Sequence, residues 1–284
     1  MSDHLDYYVV DVFTDRAFAG NPLAVVLDAD ELSTEQMQSM AREFNLSETT
    51  FVLAPTANDA TYRARIFTPA AELPFAGHPS VGTAWLLVHT GRHGAGTLVQ
   101  ECGAGLISLV VSTEGAQLTG GTPSVSDPVD ASPYVQALGL SDRDLAGTPP
   151  RVCGCGLDWG FLQVRDDALG RIVVDLAALT TLPGAGVCAF SFDNGRAHSR
   201  VFAGGVGVPE DPATGSAALG LGVFLVAAGL LPGDGQSAYE IAQGAEIYRP
   251  SAISGVVKAD AGTAVEVTVT GGVAEVAGGR ILVP

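Results

Sequence analysis

Positive charge is scarce in this chain. Its 14 lysines and arginines stand against 31 aspartates and glutamates, a formal charge of −17. Nucleic acid and anionic membrane both need a basic patch, so neither is expected as a partner. The same field repels anions at long range, and an anion site here has to be built locally. Lysine is reduced to a single residue, Lys258. A pyridoxal-phosphate enzyme needs a lysine for its Schiff base, and the run Ser254 to Asp260 reads as the edge of a strand near a turn, a poor setting for one.

Cysteine is also sparse. Cys102, Cys153, Cys155 and Cys188 match no zinc-ribbon or Cys-x-x-Cys spacing, so no metal centre is expected. Free, partly buried thiols in a reducing cytoplasm are the expectation, and no basic, apolar signal peptide opens the chain. Low-complexity tracts are absent. Long apolar runs are limited to one, Ala213 to Leu231, which carries no charge and approaches the length of a membrane span. It follows directly on Glu210-Asp211, contains Gly215, Gly220, Gly222 and Gly229, and has no flanking basic residue to orient it. A helix apolar on every face also belongs at the centre of a soluble domain, and that is the expected placement.

What remains is a folded chain of 284 residues with 47% hydrophobic residues, enough for one large domain or two ordinary ones. A β-rich run, Tyr7 to Phe13, is followed by Asn21-Pro22 and a second apolar strand, Leu23 to Leu27. Ser33-Thr34-Glu35-Gln36 resembles a capping box. Met37, Met40, Ala41 and Phe44 then recur at helical spacing, predicting a helix that ends near Asn45 and leaves Ser47 and Glu48 in the loop beyond. Strands are expected at 51–54 and 62–67, an apolar helix from about Ser80 to His89, and strands near 97–102, 106–111 and 116–118. The second half repeats the scheme loosely, with strands near 161–164, 171–174, 187–192 and 199–202, the long apolar helix, and four further strand-like runs from 237 to 284. Two such halves predict an α+β architecture with internal duplication. The Gly- and Pro-containing stretch Thr119 to Asp130 sets the expected domains at 1–125 and 126–284.

Three segments carry the chemistry. In Gly77-His78-Pro79-Ser80 a proline suits the start of a helix and a glycine lets a ligand approach the backbone. Asp211-Pro212-Ala213-Thr214-Gly215-Ser216 repeats that grammar with a capping-type acid. A helix start offers N–H groups and a positive dipole end, suited to a carboxylate or an enolate-type oxyanion. Both segments also read as ordinary capped helices, with Asp211 as N-cap. Glu48, in Asn45-Leu46-Ser47-Glu48-Thr49, suits a general acid/base if desolvation raises its pKa, and reads equally as a capping or surface carboxylate. His78 is either a substrate donor or a structural ring.

The combination resembles the PhzF-like isomerase family of phenazine biosynthesis, whose fold is that of diaminopimelate epimerase. The resemblance runs through Asp11-Val12-Phe13, Gly20-Asn21-Pro22-Leu23-Ala24-Val25-Val26, Met40 to Thr49, Arg65-Ile66-Phe67-Thr68-Pro69, Glu72 to Pro79, Glu210 to Ala217, Gln243-Gly244 and Arg249-Pro250-Ser251. It implies two similar domains, each a mixed, barrel-like sheet curled round a central buried helix, with the active site in the cleft between them.

By the same resemblance Glu48 is the acid/base, His78 and Asp211 line the substrate, Ser47 binds it, and Gly77 and Gly215-Ser216 hold its carboxylate through their backbone. The implied reaction is cofactor-free proton transfer in a small unsaturated amino or hydroxy carboxylic acid. In the phenazine enzymes the substrate is trans-2,3-dihydro-3-hydroxyanthranilate. A homodimer is implied as well. The related epimerases carry a cysteine at each helix start; this chain has Gly77-His78 and Thr214-Gly215 there, which disfavours two-thiol epimerisation. A catalytically silent small-acid binder or dimeric scaffold, or an amino-acid epimerase, are the alternatives. Two departures bear on the pocket wall: Tyr248 stands where the family often has glycine before Arg-Pro, and Phe202-Ala203-Gly204-Gly205-Val206-Gly207 lacks a proline often found there.

Overall fold

The computed structural model describes residues 3–204 and 208–284. The chain divides into two compact units, one formed by residues up to Leu118 together with Thr270–Pro284, the other by Thr119–Val269. The return of the C-terminal segment to the first unit is a matter of strand pairing, described next.

In the first unit β1 (His4–Val12) pairs antiparallel with β2 (Asn21–Val26), and β2 runs parallel to β3 (Glu48–Leu53). The β2–β3 connection is α1 (Thr34–Phe44). Antiparallel β4 (Tyr62–Phe67) and β5 (Glu72–Leu73) follow, then α2 (Gly77–His89), then β6 (Gly96–Cys102) parallel to β4. The meander β7 (Gly105–Val111) and β8 (Gly115–Thr119) completes the run. The last strand of the chain, which ends at Leu282, pairs antiparallel with β1 from Val12↔Val273 to His4↔Leu282.

The second unit repeats this order. It contains β9 (Ser124–Val125), α3 (Ser132–Ala137), β10 (Arg151–Gly154), β11 (Asp158–Gln163), α4 (Asp166–Leu169), α5 (Leu176–Leu179), β12 (Val187–Asp193), β13 (Arg196–Ala203) and β14 (Val208–Asp211). Then come α6 (Gly215–Ala227), β15 (Gly235–Gln243), β16 (Ser251–Asp260) and the start of β17 (Thr263–Leu282), whose residues from Thr270 on belong to the first unit. From β10 the pairings run antiparallel, parallel, antiparallel, antiparallel, parallel, antiparallel, the same succession as from β1. This is the expected α+β duplication, seen in the hydrogen-bond ladder rather than in sequence identity.

Each unit holds one dry helix because a parallel strand pair needs a long crossover. α2 links parallel β4 and β6 and packs on β1, β2, β3, β6 and β7. α6 links parallel β13 and β15 and packs on β9, β10, β11 and β16. Walled by sheet, both helices are apolar on every side. At 1.5 Å per residue α6 is about 20 Å long, short of a hydrocarbon core of about 30 Å. No helix among the described residues is long and apolar enough to cross a membrane. The glycines of α6 mark close approach: a Cβ at Gly222 would stand 2.5 Å from the Tyr239 hydroxyl, and one at Gly220 3.0 Å from the Cys153 carbonyl oxygen.

α1 follows its sequence closely. Ser33 is the N-cap of a complete capping box with Gln36, and Asn45 closes the helix in the left-handed region at φ 49°. Met37, Met40 and Ala41 pack with Val26, Phe51 and Phe67. Residues 171–174 are not a strand. Ile172 and Val174 join the apolar cluster around Leu138 and Leu169, so their hydrophobicity serves packing instead of pairing. The last two of the four strand-like runs expected between 237 and 284 are one continuous strand, β17, up to Leu282.

Candidate active site

The left-handed cap at Asn45 turns the chain out of α1 and into β3 within three residues. Glu48 is thus the first residue of a strand, opposite Leu23 of β2, not a loop residue. Alternation along β3 sends Phe51 into the α1 core, while Glu48 lies on the opposite face. Ser47 donates its hydroxyl to Asn21 Oδ1 at 3.1 Å, and Asn21 is wholly buried at the start of β2. Asn21, quoted above only as part of a motif, therefore holds the residue next to Glu48.

His78 is the second residue of α2. Its Nε2 lies 3.4 Å from Glu48 Oε2, with both side chains largely buried. Burial pushes the ring's pKa down to about 3, so the imidazole is neutral and the approach is that of a neutral ring to a carboxyl group, not an ion pair. Among the described residues His78 Nε2 makes no hydrogen bond, a costly state for a buried nitrogen unless something else occupies the space. Gly77 opens α2. Its N-cap, Ala76, makes no side-chain hydrogen bond to the N–H groups of the first turn, and that turn holds no acidic residue. A buried helix start without a cap is a donor set suited to an anion.

The second unit places its residues by equivalent means. Asp211 ends β14, four residues ahead of the first residue of α6, and Thr214 is the N-cap. Asp211 is therefore not the N-cap expected from sequence, because the Pro212-Ala213 step separates its carboxylate from the first turn, and Thr214 holds only the N-cap position. Alternation sends the neighbouring Glu210 to the other face, where Arg200 grips it at both oxygens, 2.9 and 2.7 Å. Asp211 instead accepts the Thr214 hydroxyl proton. The Thr214 side chain provides no cap, and the first turn of α6 again lacks an acid. Gly215 is buried, and Ser216 accepts a hydrogen bond from Trp159 Nε1 at 3.1 Å.

The structure thus brings Glu48 and His78 together, with Ser47 and Gly77 beside them in the chain, and groups Asp211 with Gly215 and Ser216 around the start of α6. The thiols lie elsewhere: Cys153, Cys155 and Cys188 are buried, and desolvation pushes the first two up to about 12. Arg200, Thr214 and Gln243 were not singled out from sequence. Their side chains act through neighbours that only strand pairing reveals, although the Gln243-Gly244 dipeptide was a usable signal. Tyr248 is highly exposed and sits at φ 61°, the left-handed backbone that explains why glycine suits that position. Residues 205–207 of the other departure lie outside the described residues.

Comparison with known proteins identifies the family. The family model described as phenazine biosynthesis-like protein matches residues 10–279. An uncharacterized isomerase of Mesorhizobium japonicum is 37% identical over 299 residues, covering 98% of this chain and 99% of the relative. The trans-2,3-dihydro-3-hydroxyanthranilate isomerase of Pseudomonas fluorescens is 38% identical over 255 residues, 87% of this chain and 88% of its own. Among solved structures, a Bacillus anthracis phenazine biosynthesis protein of the PhzF family superposes with a TM-score of 0.89 at 25% identity, covering 99% of this chain and all of that one.

Proposed function

This chain belongs to the phenazine biosynthesis-like family and is an isomerase, and we propose that it moves a proton, and with it a double bond, in a small unsaturated amino or hydroxy carboxylic acid. The substrate proposed is trans-2,3-dihydro-3-hydroxyanthranilate or a close relative, by analogy with the Pseudomonas fluorescens enzyme. The observation that carries the reading is the buried approach of His78 to Glu48 at 3.4 Å, beside an uncapped helix start.

In the proposed mechanism the Glu48 carboxylate takes the allylic proton. The electron pair of the broken C–H bond forms a new C=C bond as the old double bond shifts. Glu48–H then returns the proton at the far end of the conjugated system, leaving an enol that tautomerises to a ketone. One carboxyl serves as base and then acid, so no other proton carrier or cofactor is called for. A neutral His78 presents its Nε2 to the substrate beside Glu48, and the N–H groups at Gly77 take its carboxylate. Ser47 and Asp211, with Gly215 and Ser216, bind the remaining polar groups. Proton transfer by a placed side chain contributes about 10²–10⁴-fold, and orientation with preorganised N–H dipoles supplies the rest. We further propose a cytoplasmic homodimer, on family likeness alone, which sedimentation of the purified protein tests for its oligomeric part.

The test is one-dimensional NMR in D₂O with that substrate, wild type against Glu48→Gln. Conversion with deuterium incorporation by wild type only is expected. Equal activity in the variant overturns the role of Glu48, and no conversion by either protein overturns the substrate.

A further inference from the structure

Each unit carries a glutamine that is almost completely buried on the strand returning from its dry helix. Gln100 lies on β6 and Gln243 ends β15, with 0% and 2% exposure. These strands hold the same place in the duplicated order, each parallel to the strand that precedes the helix: Tyr62↔Gln100 and Ser199↔Gln243.

Both glutamines hold the start of their helix through a hydroxyl. In the second unit Gln243 Nε2 donates to the Asp211 carbonyl oxygen at 2.7 Å and to Thr214 Oγ1 at 3.1 Å. Its Oε1 accepts from the Thr214 backbone N–H at 3.3 Å. The Thr214 hydroxyl, its oxygen occupied by that donor, gives its proton to Asp211 Oδ2. In the first unit Gln100 Nε2 donates to Ser80 Oγ at 2.9 Å, and Ser80 donates to the Ala76 carbonyl oxygen at 2.9 Å. Tyr62 donates to Gln100 Oε1 at 2.9 Å. The order is the same in both: amide N–H to hydroxyl, hydroxyl proton to an acceptor just ahead of the helix.

The amide at 243 has only one workable orientation. Reversed, it would set a donor against the Thr214 N–H and an acceptor against the Asp211 carbonyl. The backbone is shaped for the contact as well. Gly244, at φ 78°, lets the end of β15 close on the turn, since a Cβ there would stand 2.5 Å from the Pro212 carbonyl oxygen. Ser251 adds its hydroxyl 2.9 Å from the same oxygen.

We propose that Gln243 is a positioning residue of the reaction, which orients the Asp211 carboxylate through Thr214 and fixes the N–H groups at the start of α6, and that Gln100 does the equivalent for the start of α2. This rests on the reading of Asp211 and the helix starts as substrate-binding groups. A leucine at 243 removes both the donor that polarises Thr214 and the acceptor for its N–H. A glutamate keeps the shape but donates only while protonated, so its function becomes dependent on pH in a way that leucine cannot reproduce.

The experiment uses the intact protein as wild type, Gln243→Leu, Gln243→Glu and Glu48→Gln, and reads amide hydrogen exchange together with steady-state kinetics on trans-2,3-dihydro-3-hydroxyanthranilate. In Gln243→Leu, exchange across 211–218 is expected to rise at least tenfold, with the first unit unchanged. Its kcat/KM should fall by about tenfold, the size of one net hydrogen bond, mainly through KM, whereas Glu48→Gln loses kcat. Gln243→Glu should keep activity in acid and lose it as the pH rises, a basic limb absent from wild type. The inference is overturned if exchange across 211–218 matches wild type, or if exchange rises while KM and both pH profiles stay as in wild type. Failure of wild type to turn over sinks the functional reading instead, and the exchange arm still decides whether Gln243 holds the turn.

Discussion

His78 Nε2 and Glu48 Oε2 stand 3.4 Å apart although thirty residues separate them in the chain. Glu48 is set by the parallel pairing of β3 with β2, His78 by the start of a helix that packs on both strands. A shorter or longer acid at position 48 changes the gap, and this makes the chemistry sensitive to a single methylene.

Glu48→Asp is expected to retain the carboxyl but withdraw it from the proton it transfers. Its kcat should fall by about 10²-fold, against a loss toward about 10⁴-fold in Glu48→Gln, because geometry and not only acidity governs the transfer. Rapid-quench turnover at saturating substrate measures both, and an aspartate variant as fast as wild type contradicts the geometric account.

His78 sets a dependence of stability on pH. Burial holds its folded-state pKa at about 3 against an ordinary 6.5. Between those values the unfolded chain binds a proton that the folded one refuses. Stability from this group is therefore fully present above pH 6.5 and is lost as the pH falls toward 3. In His78→Asn that slope disappears, so the Tm advantage of wild type over the variant should shrink from pH 7.5 to pH 4.5. Thermal unfolding at the two pH values checks it, and an advantage that grows in acid shows the sign to be wrong.

Arg200 and Glu210 form a two-pronged pair with only 11% and 12% of their side chains exposed. Arg200→Met leaves the Glu210 charge buried without its partner and is expected to cost about 3–5 kcal/mol. The loss also loosens β14, whose last residue is Asp211, so KM should rise in the fraction that stays folded. Urea unfolding gives the first quantity, and an unchanged midpoint would argue that water replaces the arginine.

Gly222→Ala introduces a methyl group where the Tyr239 hydroxyl approaches to 2.5 Å. That hydroxyl donates to the Ala218 carbonyl oxygen at 2.8 Å and cannot retreat without breaking the bond. Overpacking of this kind costs about 1–3 kcal/mol, visible as a lowered Tm. The double variant Gly222→Ala/Tyr239→Phe should recover part of it, since the ring then has no hydrogen bond to keep.

Several features were legible from sequence because their causes are local. Ser33 and Gln36 lie one turn apart, so the capping box and the helix it opens can be read directly, as can its end near Asn45. The two dry helices announce themselves by apolar faces all round, and the glycines of α6 point to close packing. Glu48, His78 and Asp211 were each ambiguous alone and were picked out by the family resemblance that their three motifs carry together.

Tertiary structure decided the rest, and the reason is non-local pairing. Nothing near Val273 states that it lies against Val12, yet that ladder returns the C-terminal segment to the first unit. Strand alternation, counted from a register fixed by distant partners, sends Glu210 to Arg200 and Asp211 to Thr214. The drop in the His78 pKa comes from burial, a property of the packed unit and not of any tripeptide. Sequence by itself determined the capped helix α1 and the two apolar helices, and offered Glu48, His78 and Asp211 as candidate acids and bases. Which of them face one another was decided only when the sheets closed round α2 and α6.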